Sequence, residues 1–499
     1  MTLDLITRLI TNLNDEGIIY CHWKSNFYLA EALSGETDLD LLVDRQTLSQ
    51  TLNILIKLGF KQATVRLGTM TPGIHNYYGC DSRTGRLVHI HLFTRVLTGE
   101  SFVKSHLFPF ERMLLENTCD TNQIKVVSKP AELILFILRN FIKYGSMLDL
   151  IKIARESGNI RDELHWLLSG NDLSESLPLL KKYCPVIDEQ LFTNCVDALD
   201  KGSPLFTRIF LAYQVRKRLR IYRKNNYFIH FGDYFKFVWD QGMRRLSGRR
   251  KNKFLSSGGA IIAFVGPDAT GKSTLVAETK KWLEKVFMVR VVHAGRPPSS
   301  WITMPVNIVL PMVRQLWPRL RTSQLEEKSS LPDQIGTAPK IKGPSGLIYA
   351  LRFVSLAWDR RQLLVKARRL CANGEIVICD RYPTETVGAM DSPRLQEYLV
   401  KDGPTRLIFN WLAHLESRLY GEIPPPDVVL KLKVSIEVAK KRNKERIKVD
   451  KETDAYLESR HRQNQDLSIT GTKNFFEIDT DQSLADTIRE VKQTIWGLL

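Results

Sequence analysis

The chain has 499 residues, of which 43% are hydrophobic, and it carries a net charge of +18. This length is too great for one hydrophobic core and predicts two or three domains. No uninterrupted apolar run is long enough to span a bilayer, and the first residues lack the basic region of a signal peptide. We therefore expect a cytoplasmic protein, with a peripheral position at the inner membrane surface as the alternative.

The seven cysteines are scattered along the chain, and no two of them form a C-x-x-C pair. An odd number at irregular spacing argues against a disulfide framework and against a zinc site. We interpret them as reduced, mostly structural thiols.

The first 125 residues predict an α+β domain. Apolar residues at helical spacing run through residues 1–18, and extended stretches follow at 18–26 and 35–43. In the second stretch, alternation directs Asp38 and Asp40 to the same face of a strand. Two carboxylates so arranged can share a divalent metal ion. A solvated strand edge is the structural alternative.

This stretch resembles the nucleotidyltransferase fold family, in which a short Gly-Ser-type loop precedes an Asp-x-Asp strand. Lys24 and Ser25 stand where that loop would be, and Asp38 and Asp40 match the metal-binding pair. The resemblance implies a nucleotidyltransferase-like domain that binds metal through these two acids.

The chain departs from that family at the third acid, which comes from a later strand. The candidate strand, residues 86–93, has His89 and His91 where a carboxylate would be expected. This departure puts transferase activity in doubt. The two histidines either complete an unusual metal site or are ordinary hydrogen-bonded side chains.

Residues 126–255 predict a helical segment that ends in a basic, aromatic linker. Between Arg216 and Lys253 there are 13 Lys or Arg residues and two Asp residues, so 11 of the 18 net positive charges lie there. Aromatic side chains alternate with them. Such a stretch can lie on an anionic membrane surface or follow a nucleic-acid backbone. It can also be a solvated connector whose aromatic residues pack on a neighbouring domain.

Residues 256–499 predict a parallel sheet flanked by helices, built around a phosphate-binding loop. The loop pattern reads Gly266-x-x-x-x-Gly271-Lys272-Ser273. A buried strand precedes it and a helical period follows, as the mechanism requires. Backbone amides and the helix start would hold phosphates, while Lys272 would reach the β and γ groups and Ser273 would bind Mg²⁺. A turn that only caps a helix would not require this lysine and serine.

Further strands and helices alternate after the loop, so ligands are expected at the carboxyl ends of the strands. The buried run at 374–380 ends in Asp380, which is the expected partner for Mg²⁺. The adjacent Arg381 can meet a substrate phosphate with two hydrogen bonds. A later helix carries basic residues over 440–446, which predicts a lid over ATP.

This half is similar to the thymidylate kinases of the nucleoside-monophosphate kinase superfamily. The similarity rests on Gly-x-Asp-x-x-Gly-Lys-Ser-Thr, a helix ending in Asp-Arg, Asp-Arg-Tyr, a Pro-Asp strand and an arginine-bearing lid. It implies that ATP and Mg²⁺ are cofactors. The implied cofactor-binding residues are Gly266, Asp268, Gly271, Lys272, Ser273 and Thr274.

The resemblance also implies roles on the acceptor side. Asp268 would contact the sugar side of the acceptor, while Arg360 and Arg381 would bind its phosphate. A catalytic arginine comes from the loop or the lid in that family, and Ala269 excludes the loop. The lid candidates are Arg442 and Arg446.

Two stretches depart from the family where the base would be selected. Arg296 is followed by Pro-Pro-Ser-Ser, and Met390-Asp391 replaces the expected serine and aromatic positions. A role for Arg296 on the phosphate side of the acceptor is compatible with this departure. The resemblance therefore predicts the type of reaction better than it predicts the substrate.

The leading hypothesis is ATP- and Mg²⁺-dependent phosphoryl transfer by a kinase to a nucleoside monophosphate-like or sugar-type acceptor, with the enzyme as a monomer or homo-oligomer. One alternative is an ATPase switch in a defence or regulatory module. Another is a membrane-surface factor in glycan assembly.

Overall fold

The structure is a computed structural model. It describes residues 1–65, 71–99, 104–121, 124–144, 157–170, 173–225, 253–306, 344–384, 391–399, 406–445 and 471–499, with isolated positions between these ranges. The chain forms two compact units, Met1–Lys251 and Asn252–Leu499. Within the described ranges, the helices are all too short or too polar to cross a bilayer.

The first unit combines a mixed sheet with helices. Its strands are β1 (Tyr20–His22), β2 (Leu39–Val43), β3 (Lys61–Thr64), β4 (Ile74–Cys80), β5 (Leu87–Phe93), β6 (Val96–Thr98), β7 (His106–Phe108), β8 (Thr118–Thr121) and β9 (Ile124–Val127). Its helices are α1 (Asp4–Asp15), α2 (Leu29–Leu33), α3 (Leu48–Lys57), α4 (Glu111–Glu116), α5 (Lys129–Lys143), α6 (Ser157–Leu168), α7 (Leu173–Tyr183), α8 (Glu189–Asp200) and α9 (Leu205–Arg218).

The sheet of this unit runs in the order β3-β4-β5-β2-β1-β9-β8. Strands β2 and β5 are parallel neighbours, and their register sets Asp40 directly beside His91. Strand β1 is antiparallel to β2 and parallel to β9. The two strands that the sequence predicts to carry polar site residues are therefore adjacent.

Two hydrophobic clusters hold the first unit together. One cluster packs α1, whose buried residues recur at helical spacing, on one face of the sheet. The other joins sheet residues such as Trp23 and Phe93 to α5 and the later helices. Helix α5 has Pro130 in its first turn, where the missing N–H breaks no helical hydrogen bond. The predicted helical stretch thus shares a core with the sheet.

The second unit is built on a parallel sheet. After the short strand β10 (Phe254–Leu255), its elements are β11 (Ile261–Val265), α10 (Lys272–Leu283), β12 (Val289–His293), α11 (Pro344–Ala372), β13 (Ile376–Asp380), α12 (Arg406–Gly421), β14 (Val428–Lys433), α13 (Ile436–Glu445), β15 (Asn474–Asp479) and α14 (Leu484–Leu498). This alternation confirms the mixed α/β class that the sequence predicts.

The parallel strands of this sheet follow the order β12-β13-β11-β14-β15. Strands β13 and β12 lie on one side of β11, and strands β14 and β15 lie on its other side. Ligands in open parallel sheets bind outside the carboxyl ends of the strands, where the order reverses. The carboxyl ends of β11 and β13 are this point.

Candidate active site

The loop after β11 has a backbone that only a few residue types adopt easily. Gly266 has φ of 141°, Gly271 has φ of 86°, and Ala269 has φ of 66°. A Cβ atom at Gly266 would also lie 2.6 Å from the carbonyl oxygen of Leu432 on β14. The glycine is therefore required by both backbone angle and space, and it lets the chain curl before α10 begins.

Lys272 is the first residue of α10, and its side chain is buried inside the loop. Its Nζ donates to the carbonyl oxygens of Gly266, at 2.9 Å, and Pro267, at 2.5 Å. The loop backbone thus holds the ammonium group inside the curve of the loop.

Ser273 and Asp380 come together at the carboxyl end of the sheet. The Ser273 hydroxyl donates to Oδ2 of Asp380 at 3.4 Å, and His293 Nε2 lies 3.9 Å from the same oxygen. A hydroxyl and a carboxylate are oxygen ligands of the kind that Mg²⁺ prefers, and both are next to the phosphate-binding loop. These residues fit the expected magnesium ion.

Arg381 follows Asp380 in a left-handed backbone conformation, with φ of 71°. Its Nη2 donates to Oδ1 of Asp268 at 3.0 Å, and its Nη1 lies 3.6 Å from Oδ2 of Asp391. The side chain keeps 27% of its surface exposed. A non-glycine residue keeps such a strained backbone only where the surrounding structure stabilises it, and residues of this kind are concentrated at functional sites.

Arg360 is almost completely buried, and its guanidinium is surrounded by hydrogen-bond acceptors. It donates to the Ala294 carbonyl at 3.0 Å, to the Tyr420 hydroxyl at 2.5 Å and to Oδ1 of Asp391 at 2.5 Å. The carbonyls of Gly295 and Asp391 accept longer hydrogen bonds. Arg360 therefore orders the segments around it, and Asp391 connects it to Arg381.

The remaining predicted acceptor residue, Arg296, is exposed on the segment after β12. The lid candidates differ. Arg442 on α13 donates to the carbonyl of Thr480 at 2.6 Å and to its Oγ1 at 3.3 Å. Arg446 lies outside the described residues.

A cavity of about 310 Å³ lies between the loop and the residues that bind Arg442. Its walls combine apolar side chains, hydroxyls and one guanidinium, from Ala269, Thr270, Gly271, Thr274, Leu275, Arg442, Thr480, Leu484 and Thr487. A flat aromatic group can pack on a guanidinium and on leucine side chains. A cavity of this size and lining can take a flat aromatic group.

Sequence reasoning missed three neighbours of this site. Asp391 and Tyr420 hold Arg360, and His461 Nε2 lies 3.4 Å from the carbonyl oxygen of Asp268 in the loop. Burial lowers the pKa of His461. The departure at Met390-Asp391 was visible in the sequence, whereas Tyr420 and His461 belong to no motif.

A second polar cluster lies in the first unit, on β2, β5 and the segment after β1. Asp40 pairs with Lys24 at 2.7 Å and with His91 at 3.1 Å, and Asp38 pairs with His89 at 2.6 Å. The charge of Lys24 and hydrogen bonds from His91 and Lys24 outweigh the effect of burial and hold the pKa of Asp40 well below its usual range.

This cluster includes both carboxylates of the metal pair that the resemblance implies. Both carboxylates already face a histidine or a lysine, and the described residues include no group of three or more His, Cys, Asp or Glu side chains placed to hold a metal ion. Metal binding by Asp38 and Asp40 stays a prediction. A cavity of about 420 Å³ opens beside them, and Lys24, Ser25, Tyr28 and Thr37 contribute to its walls.

Behind this cavity, Glu132 on α5 is buried. Its carboxylate accepts hydrogen bonds from the backbone N–H of Asn26, at 2.9 Å, and from Asn26 Nδ2, at 2.7 Å. Burial raises its pKa to about 7 despite these bonds. The charged form is therefore less stable in the folded protein than in water.

We expect Glu132→Gln to remove a pH dependence of stability. Glu132 favours the folded state fully below its unfolded pKa of 4.5, and this contribution is lost as pH rises through about 7. As pH rises across this window, the free energy of unfolding of the variant minus that of the original protein should increase by about 3 kcal/mol. Urea unfolding at several pH values measures it. Glu111→Gln is the matched control, because that carboxylate also accepts a backbone N–H but is partly exposed; equal pH profiles would contradict the prediction.

Comparison with known proteins gives likenesses over about half of the chain. No known family profile matches it. The chain is 26% identical over 239 residues to the uncharacterised ATP-binding protein YghR of Escherichia coli strain K12. The aligned region covers 47% of this chain and 86% of YghR. The YghR protein of an O6:H1 strain matches to the same extent.

Two solved structures are similar to parts of the fold. One is deoxyadenosine kinase from M. mycoides with bound dATP, with a TM-score of 0.27, 16% identity and coverage of 47% of this chain and 98% of that chain. The other is thymidylate kinase from Candida albicans, with a TM-score of 0.27, 15% identity and coverage of 48% and 94%. In sequence, the chain is thus similar, over about half of its length, to a protein whose name refers to ATP binding.

Proposed function

We propose that the unit Asn252–Leu499 is a kinase that transfers the γ-phosphoryl group of ATP to a small acceptor. The observation that carries this proposal is the meeting of Lys272, Ser273 and Asp380 at the carboxyl ends of β11 and β13. The likeness to an ATP-binding protein supports the choice of donor.

The donor side uses the loop and the neighbouring cavity. Loop amides and the start of α10 hold the phosphates, and Lys272 exchanges its bonds to loop carbonyls for bonds to the β and γ groups. The base lies in the 310 Å³ cavity against Arg442. Since Arg442 is then committed to the nucleotide, Arg446 is the lid arginine that we propose for the transferring phosphoryl group.

Ser273 and Asp380 would hold Mg²⁺, which neutralises phosphate charge when bound. In the transfer, an acceptor oxygen forms a bond to the γ-phosphorus, and the bond between that phosphorus and the β–γ bridging oxygen breaks, so ADP leaves. An ionised phosphate oxygen has no proton to lose, and a hydroxyl acceptor would release its proton to solvent. Lys272 would position the β- and γ-phosphates directly, whereas Asp380 would act only through the metal ion that it would hold with Ser273. Most of the rate enhancement comes from such positioning and charge stabilisation.

On the acceptor side, we propose that Arg381 binds the acceptor phosphate and that Asp268 contacts the rest of the acceptor. Arg381 keeps exposed surface, and its bond to Asp268 joins the acceptor side to the loop. Arg360 acts as a positioning residue, because its N–H groups are engaged by Asp391, Tyr420 and backbone carbonyls.

Transfer detected by ³¹P NMR tests the proposal. The full chain is incubated with ATP and Mg²⁺ and a panel of nucleoside monophosphates, sugars and sugar phosphates, with Lys272→Ala as the control. A phosphorylated product that disappears in the variant supports the kinase and identifies the acceptor class. ATP hydrolysis at a rate that no acceptor changes would overturn it in favour of an ATPase switch.

We expect Arg381→Lys to raise the KM for a phosphorylated acceptor by about tenfold or more, while ATP binding stays unchanged. A lysine keeps the charge but cannot donate two parallel hydrogen bonds to a phosphate. Steady-state kinetics with the acceptor found in the panel measure the effect. Arg418→Lys, an exposed arginine paired with Glu422 at 3.1 Å, is the control. An unchanged KM would remove Arg381 from the acceptor site.

For the first unit, we propose a nucleotidyltransferase-like accessory domain. The parallel pairing of β2 with β5 and the polar cluster beside the 420 Å³ cavity support this fold assignment. The replacement of the third acid by histidines argues for binding over transfer.

A further inference from the structure

Helix α9 has two apolar faces, and the residues that the structure describes cover only one of them. Leu211, Ala212 and Val215 pack into the core of the first unit. On the other side, the chain leaves a row of large apolar side chains between 36% and 87% exposed: Leu205, Phe206, Ile209, Phe210 and Tyr213. A soluble helix normally exposes polar residues on that side. An exposed apolar patch of this size indicates a binding surface.

The exposed row runs directly into basic side chains. Phe206, Phe210, Tyr213 and Lys217 are spaced by four, three and four residues, so they lie along one helix face. Lys217 is exposed, and so is Arg220 in the next turn. Apolar contact and positive charge therefore occur on the same side of the helix.

A second exposed apolar row follows in the basic, aromatic stretch. Phe235, Trp239 and Met243 are helical residues, each at least 50% exposed. Their spacing of four residues directs them to one face, and the rings of Phe235 and Trp239 have centroids 6.4 Å apart. The residues from Arg216 to Lys253 also hold 11 of the net positive charges of the chain.

We propose that these two rows bind the surface of an anionic lipid bilayer. Aromatic and aliphatic side chains enter the boundary between headgroups and acyl chains, and the lysines and arginines pair with anionic headgroups.

Two features favour this occupant over others. The aliphatic side chains Leu205, Ile209 and Met243 gain by burial among acyl chains, whereas single-stranded nucleic acid binds mainly through aromatic stacking and charge. A second copy of the chain would present the same positive charge and would be repelled. The charge and the apolar surface together match an anionic bilayer.

Vesicle flotation with the full chain tests the proposal. The vesicles are phosphatidylcholine alone, or phosphatidylcholine mixed with phosphatidylglycerol. We expect binding to the mixed vesicles, and a bound-to-free ratio lowered about tenfold by Phe206→Ser/Phe210→Ser. The matched control is Leu407→Ser/Trp411→Ser on α12, which removes two similarly exposed apolar side chains and should bind as the original protein does.

Charge reversal provides a second comparison that does not depend on the phenylalanine variant folding. Lys217→Glu/Arg220→Glu should lower binding to the mixed vesicles by about fivefold or more for each residue, and added salt should weaken binding of the original protein. Equal flotation of all variants would overturn the proposal. So would failure to float combined with binding to a single-stranded oligonucleotide, or with self-association that Phe206→Ser/Phe210→Ser abolishes.

Discussion

Lys272→Ala is expected to lower phosphoryl transfer from ATP about a thousandfold. The ammonium is buried in the loop and is the positive charge that we propose to meet the β and γ phosphates. Removing one hydrogen-bond donor that is positioned to stabilise charge in the transition state lowers the rate by about 10²- to 10³-fold. Single-turnover measurements with the acceptor identified in the panel give the size of the loss.

Lys280→Ala is the matched control for this experiment. Lys280 is on the same helix and is exposed, so the variant removes a lysine without changing the loop. Transfer by the control should equal that of the original protein. If Lys272→Ala and Lys280→Ala had the same rate, the loop could not be the donor site.

Arg360→Met should destabilise the second unit by about 3 kcal/mol or more. The substitution keeps the length of the side chain but removes the buried donor to the Tyr420 hydroxyl and leaves Asp391 only the 3.6 Å contact with Arg381. Loss of one member of a buried ion pair costs about 3 to 5 kcal/mol, because the remaining charge stays buried. Hydrogen exchange of the β11 and β13 amides in increasing urea measures the local free energy of unfolding.

The neighbouring residue provides the comparison. Arg361 pairs with Glu422 at 2.6 Å, but both side chains are partly exposed, so Arg361→Met should cost less than about 1 kcal/mol. The double variant Arg360→Met/Asp391→Asn should recover part of the loss, because it removes a carboxylate that has lost the closer of its two arginine partners, and asparagine tolerates the left-handed φ of 62° at this position. If Arg360→Met left stability unchanged and raised only the KM for the acceptor, Arg360 would be a substrate ligand.

The parts of the site that local patterns determine could be predicted from the sequence. A phosphate-binding loop depends on glycines and on a lysine at fixed spacing between a strand and a helix, so Gly271 and Lys272 could be assigned from short-range information. Asp380 could be assigned because it ends a buried apolar run. In the structure its carboxylate accepts a hydrogen bond from Ser273, which is 107 residues away in the chain.

The parts that depend on distant neighbours could not be predicted. Tyr420 lies 60 positions after Arg360 in the chain, and only the packing of α11 on α12 makes them partners. In the first unit, the sequence predicts both Asp40 and His91 as candidate site residues, but their pairing depends on the register of β2 and β5. A register shift of one residue would direct these side chains to opposite faces. Residue spacing within one segment therefore cannot predict the contact of Arg360 with Tyr420 or that of Asp40 with His91.

Gly266 is constrained by the fold independently of any reaction. Any side chain there would meet the Leu432 carbonyl on the neighbouring strand. In a library of all single substitutions, position 266 should therefore tolerate no replacement, whether cells are selected for product formation or merely for accumulation of intact protein. Lys272 and Ser273 should be intolerant only under the first selection. The difference between the two tolerance profiles would separate residues that build the loop from residues that use it.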